Sequence, residues 1–254
     1  MAYAMFLAAA AGVFIPYGAV AGVAINEVLF DPVGTDTGLE KIEIYNPDAA
    51  SADMGGWELY PDGIGYFEFP SGFSLAAKSF AVVHLRASGT NDGQNLYHSS
   101  AAANMGNSSG SVALFKSGGR TKDTIVDFAR YHKPGASERK TWESTAVEAG
   151  LWAAGAFVDV SALAEGNSIG LTGDGVRVGA GSWKIYSSPS IGSANAPAAG
   201  SGGDSGAAAG APAAPPPAGT GTPAPPPTPS LGADAGPDVV AAAGTIVQFR
   251  GNAF

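Results

Sequence analysis

Cysteine is absent from the 254 residues, which excludes disulfide staples, thiolate nucleophiles and Cys-ligated zinc. Charge is also sparse, at 14% of residues, and its balance is acidic, with a formal net charge of −9. Of the 13 Lys and Arg only Arg250 lies outside 22–197, and of the 22 Asp and Glu only Asp204, Asp234 and Asp238 do. Nucleic-acid binding draws on clustered cations that neutralise phosphates. The densest basic pair here, Arg139-Lys140, sits beside Glu138, so no nucleic-acid partner is expected. There are 3 histidines, His84, His98 and His132, and none has the two-His spacing of a metalloenzyme helix. No serine stands in a GxSxG elbow. The Gly-rich runs at 34–38, 117–119 and 173–175 lack a P-loop Lys and read as turns. These absences assign no catalytic, cofactor-binding or metal residue, and the expectation is a protein that is not an enzyme.

Long apolar runs are missing too. The uncharged stretch 4–20 is too short and too rich in Ala and Gly for a bilayer span, which needs about 20 strongly apolar residues. It ends in Ala19-Val20-Ala21, a small-x-small site that signal peptidase accepts, so 1–21 reads as a signal peptide with Gly22 as the mature N-terminus. The reading departs from the usual pattern in one respect: Met1-Ala2-Tyr3 carries no Lys or Arg. A secreted or cell-surface location follows as an expectation, with no membrane span in the mature chain.

From Val23 onward, short β-prone runs alternate with Gly, Pro, Asn and Asp. Lys41-Ile42-Glu43-Ile44-Tyr45 alternates strictly, which predicts Ile42 and Ile44 on one face and Lys41, Glu43 and Tyr45 on the other. Further strands are predicted over 24–30, 57–60, 66–69, 80–85, 112–115, 124–128, 167–171 and 182–185. Pro61-Asp62-Gly63 reads as a hairpin turn, and 117–120 as another. Many short strands with no sustained helical period predict an all-β sandwich over 22–197. Trp57, Phe69, Phe80, Leu114 and Val126 are its expected core bulk. Residues 137–165 are less regular and read as an insertion over one end of the sandwich. Their Trp142, Trp152 and Phe157 are open to two uses, as a roof on the core or as an exposed contact patch. Calcium favours oxygen-rich loops. Asn26, Glu27, Asp31 and Asp36 are the set to test for it, against the plain alternative of turn-starting Asn and Asp with Glu27 on a solvated strand face.

Residues 198–233 are dominated by Ala, Gly, Pro, Ser and Thr, with Pro215-Pro216-Pro217 and Pro225-Pro226-Pro227. Too little apolar bulk is present to offset ordering entropy, so a disordered Pro/Ala/Gly-rich C-terminal linker is expected.

The order of the pieces carries a resemblance. Ile25-Asn26-Glu27-Val28, Glu43-Ile44-Tyr45-Asn46-Pro47 and Met54-Gly55-Gly56-Trp57-Glu58-Leu59 come first. Phe69-Pro70-Ser71-Gly72, Phe73-Ser74-Leu75-Ala76, the 80–85 strand, Asn107-Ser108-Ser109-Gly110 and finally Ser188 through Asn195 follow in sequence. The series resembles the lamin tail domain of secreted bacterial proteins over about 25–195, with 137–165 poorly matched. The resemblance implies an immunoglobulin-like β-sandwich serving as an accessory module of exported proteins, sometimes beside nucleases, phosphatases or adhesive repeats. Ala235-Gly236-Pro237-Asp238-Val239-Val240, Val247-Gln248-Phe249 and Gly251-Asn252 resemble the first strands of a PKD domain, with Arg250 where an acid is commoner. Residues 234–254 are therefore read as a truncated PKD-like start. The expected function is a non-catalytic extracellular or cell-surface binding or structural module whose partner is an unknown protein or a cell-surface glycan. The alternative is an accessory domain of a secreted hydrolase, a nuclease or phosphatase, whose catalytic part lies beyond the C-terminus.

Overall fold

A computed structural model describes residues 22–195. The signal-peptide, linker and PKD-like readings fall on 1–21, 198–233 and 234–254 and lie outside the described residues.

The alternation in 41–45 plays out as a strand. In β2 (Lys41–Tyr45), Ile42 and Ile44 point into the core and are fully buried. It pairs antiparallel with β1 (Ala24–Leu29) on one side and β7 (Phe80–Leu85) on the other. The first sheet is completed by β8 (Asn95–His98), β12 (Ser168–Leu171) and β13 (Trp183–Tyr186), in the order β13-β12-β1-β2-β7-β8. The second sheet is built from β4 (Glu58–Pro61), β5 (Phe67–Glu68), β9 (Ser109–Phe115), β10 (Ile125–His132) and β11 (Val158–Asp159), in the order β11-β10-β9-β4-β5. A small ribbon joins β3 (Ala52–Asp53) to β6 (Ser74–Leu75). The expected hairpin at 61–63 is present, since β4 and β5 pair antiparallel around it. Gly118 and Gly119 carry the turn between β9 and β10 at φ of 105° and 114°, a region that side-chain-bearing residues avoid.

The two sheets face each other across one apolar core in which Ile25, Val28, Phe30, Leu59, Phe69, Leu114 and Ile169 are buried. Phe30, immediately after β1, stacks on Tyr131 of β10 at 3.9 Å between ring centroids, tying sheet to sheet. Tyr131 is fitted against Gly110, where an added Cβ would lie 2.7 Å from the ring Cζ. One ring face is stacked on Phe30 and the hydroxyl donates to the Gly106 carbonyl at 2.8 Å, so the ring is held where it meets Gly110. Gly110→Ala is therefore expected to destabilise the fold by about 1–3 kcal/mol, read as a lower urea midpoint at unchanged slope.

Residues 137–165 do not lie over an end of the sandwich, as the sequence suggested. Residues 137–157 cross the outer face of the second sheet and make a third layer, after which Val158 and Asp159 join that sheet as its edge strand. Since Tyr131 points inward, its neighbours in β10 at the next outward positions are Arg130 and Phe128. Phe128 meets Trp152 edge to face at 5.4 Å, and Phe115 of β9 meets Trp142 at 5.2 Å. Phe157 lies against His132 and the Arg130 guanidinium. A short helix, α1 (Glu143–Glu148), contributes Glu143, which with Glu138 pairs Arg130 at 3.4 and 3.0 Å. Trp152 is only 1% exposed. The aromatic residues thus roof the sheet, and the exposed-patch use of Trp152 is excluded. With both faces covered, every residue of β9 is buried.

One expected core residue is misplaced. Phe80 is half-buried on the outer face of the first sheet, stacked on its cross-strand partner Tyr45 at 4.4 Å. Phe69 and Leu114 are in the core as expected, and Trp57 and Val126 pack against it half-buried.

Candidate functional site

The outer face of the first sheet carries a cluster of buried acids. In β1 the register runs from Ile25 opposite Ile44 directly to Glu27 opposite Glu43, so Asn26 is an extra residue in a β-bulge. The bulge turns the Asn26 amide toward β2, where it donates to Glu43 Oε1 at 2.8 Å and to Asp174 Oδ1 at 2.9 Å. Its own Oδ1 accepts from the Gly175 amide at 3.0 Å. Glu27 and Glu43, expected on a solvated face, are both 0% exposed. A strap formed by residues 188–195 covers them. Glu27 accepts from the Ser168 hydroxyl, the Ser190 amide and the Ser190 hydroxyl. Glu43 Oε2 accepts from the Gly192 amide at 2.6 Å. Asp174 Oδ1 accepts from the Asn195 amide at 2.9 Å, and the Asn195 side chain donates to the carbonyls of Asn26 and Leu171. Burial pushes Glu43 up to about 7, against the Asn26 and Gly192 hydrogen bonds and with help from the Glu27 and Asp174 charges.

A second acidic group gathers beside the 104–107 loop. Asp31 and Asp36 share the Asn107 amide, at 2.8 and 3.4 Å. Fully buried Glu40 accepts from the Met105 amide at 2.7 Å, and burial pushes it up to about 8, with the Asp36 charge adding to the rise. The four calcium candidates are therefore divided. Asn26 and Glu27 are held under the strap, while Asp31 and Asp36 meet at Asn107. Among the described residues no group of three or more His, Asp or Glu is arranged to hold a metal ion.

The Glu40 and Glu43 environments carry a pH consequence. Both side chains ionise near 4.5 in the unfolded chain, while the folded state keeps their protons until about 8 and about 7. Their contribution to stability is full below the unfolded value and is lost as pH rises through the folded one. Urea midpoints are expected to fall between about pH 5 and about pH 8, and Glu40→Gln to flatten that fall.

The histidines serve the fold. His84 stacks on Tyr97 and pairs with Asn95 at 3.1 Å. His98 and His132, expected in or near loops, end strands β8 and β10 and are buried. Burial holds His98 below its usual range, in the neutral form. A cleft of about 530 Å³ lies beside α1, lined by Lys140, Glu143, Ser144, Val147, Glu148, Ala154 and Gly155. Its buried acid, Glu143, is already committed to the Gly155 amide at 2.6 Å and to Arg130. Sequence reasoning missed the acids under the strap because alternation assigns a face without saying what covers it. The signal that was available is the run of small residues at 190–195, dense in backbone donors, which also closes the resemblance series.

Two packed sheets with a small-residue strap define an all-β, immunoglobulin-like sandwich. Residues 17–131 match the lamin tail domain family, whose members are non-catalytic immunoglobulin-like domains. That match runs through β1 and ends inside β10, so the third layer, β11 to β13 and the strap lie outside it. No curated protein matches the chain.

Proposed function

We propose that the chain is an exported protein whose sandwich acts as a non-catalytic binding or structural module at the cell surface, with a protein or glycan as its partner. One observation carries the non-catalytic part. The buried acids Glu27, Glu43 and Asp127 spend both oxygens on the chain's own amides and hydroxyls, and Glu143 spends Oε1 on the Gly155 amide and Arg130. Buried Glu40 and Asp62 each keep one oxygen without a hydrogen-bond partner, but neither lines the cleft beside α1. A catalytic acid or base must instead reach a substrate proton at hydrogen-bond distance. The acidic charge balance speaks against a nucleic-acid partner. Export is supported by the apolar run at 4–20 and its Ala19-Val20-Ala21 end, and no helix among the described residues is long and apolar enough to cross a membrane.

The test uses the full chain, with a C-terminal tag, in a secretion-competent host. The expected result is tagged protein outside the cytoplasm, shortened at its N-terminus, and inert toward phosphodiester and phosphomonoester substrates. Retention of Met1 on a cytoplasmic product would overturn export. Hydrolysis that survives repurification would overturn the non-catalytic reading.

A further inference from the structure

Glu27 and Glu43 occupy directly paired positions on neighbouring strands and point to the same outer face. Like charges so placed repel, and burial removes the water that would screen them. Asp174 approaches the same cluster through the Asn26 amide. The strap above them brings no ionisable side chain, since residues 190–195 read Ser-Ile-Gly-Ser-Ala-Asn. None of the salt bridges among the described residues reaches these three acids. Other ionisable groups sit on the same sheet face. Lys41 and Tyr45 flank Glu43 in β2. His84 lies two residues beyond its partner Val82 in β7 and is bonded to Asn95. Lys184 and Tyr186 lie on β13, where the Lys184 ammonium sits over the Tyr186 ring.

What holds the strap is almost wholly polar. Its amides at Ser190, Gly192 and Asn195 and its Ser190 hydroxyl each end on a carboxylate of the cluster. Pro189 and Ile191 are its half-buried apolar side chains, while Gly192, Ser193 and Ala194 are exposed. The strap is thus a cover with little hydrophobic adhesion, seated on acids whose crowding depends on whether Glu43 carries a proton.

We propose that residues 188–195 form a proton-operated latch, seated on the sheet while Glu43 is protonated and lifted when Glu43 releases its proton to solvent. Loss of that proton places a buried negative charge beside Glu27 and Asp174. The donors at Asn26 and Gly192 favour the ionised form, but burial outweighs them. Lifting the strap readmits water and relieves the crowding. The other cover, the 173–175 loop, is tied down by the Asn26 amide and by Asn26 Oδ1, and stays in place.

The absence of cysteine makes a single-site label straightforward. Ala194→Cys in the full chain, carrying a nitroxide, reports strap mobility by electron paramagnetic resonance. The expected spectrum is immobilised at about pH 5.5 and largely mobile at about pH 8.5, as a single site titrating near neutrality requires. Glu43→Gln is expected to keep the label immobilised at both, and Asp174→Asn, which removes a neighbouring charge, to move the midpoint to lower pH. Asn195→Ala, which removes two side-chain anchors, is expected to free the label at both. Circular dichroism confirms that each variant is folded, and the Asp174→Asn shift decides the matter if Glu43→Gln does not fold. Mobility independent of pH, a transition that persists in Glu43→Gln, or an unmoved midpoint in Asp174→Asn would each overturn the latch.

Discussion

Trp152→Ala is expected to lower the unfolding free energy by about 3–5 kcal/mol, a large share of the roughly 5–15 kcal/mol that holds a domain folded. The indole is buried between the third layer and β10, edge-on to Phe128, and its Nε1 donates to the Ala156 carbonyl at 2.8 Å. Alanine removes the apolar surface, leaves a cavity over β10 and takes from that carbonyl the shorter of its two bonds, the other coming from Arg130 Nη1 at 3.4 Å. Trp152→Phe restores most of the volume but not the donor, and is expected to fall between the two. Urea unfolding followed by circular dichroism measures both. An unchanged midpoint in Trp152→Ala would mean that the third layer is not part of the cooperative unit.

The second large effect is expected at Asp127, where three separate parts of the chain converge. Its Oδ2 accepts from the Ile25 amide at 2.7 Å and lies 3.4 Å from the Arg177 guanidinium, while Oδ1 accepts from the Phe128 amide at 2.8 Å. Burial raises the Asp127 carboxyl, and Arg177 with the two amides opposes that rise. Removing one member of a buried ion pair leaves the other charge uncompensated, so Asp127→Ala is expected to cost about 3–5 kcal/mol. Arg177 also donates to the carbonyls of Val126 and Gly22, which softens its own loss of partner but does nothing for the Ile25 amide. Asp127→Asn keeps an acceptor for that amide and is expected to cost less. A double-mutant cycle with Arg177→Met separates the charge pairing from the amide bond. Additive costs in that cycle would show that the pair contributes nothing beyond its separate members.

The parts of the fold that were legible in the sequence are those governed by local alternation. Ile42 and Ile44 declare their face because period 2 is unambiguous in a strand with one apolar side. The 61–63 hairpin is legible because Pro, Asp and Gly each favour a turn for a separate backbone reason. Strand β8 was not, because Asn95-Leu96-Tyr97-His98 owes its conformation to parallel pairing with β7, a contact that no local pattern encodes. Strand β9 begins at Ser109, before the apolar run, because Ser109 to Ser111 are enclosed by pairing with β10 and by hydrogen bonds to Arg139 and Thr141. Phe80 was misplaced because hydrophobicity reports a wish for burial without choosing a side of the sheet. The same limitation hid the site. Glu27 and Glu43 look like solvent-facing charges until a strap more than 140 residues away in sequence is laid over them.

The pairing of β1 with β12 brings Glu27 opposite Gly170. During synthesis, the edge of β1 that faces β12 therefore stays open until residues near 170 emerge, roughly 7–30 s later at 5–20 residues per second. Through that interval β1 offers unpaired backbone groups to any strand that meets it, including the same strand of a neighbouring nascent chain. The bulge at Asn26 lies in the pairing with β2, on the other edge, but a bulge bends and twists the whole strand, so the feature that later positions the amide over Glu43 also makes the waiting strand a poorer template for aggregation.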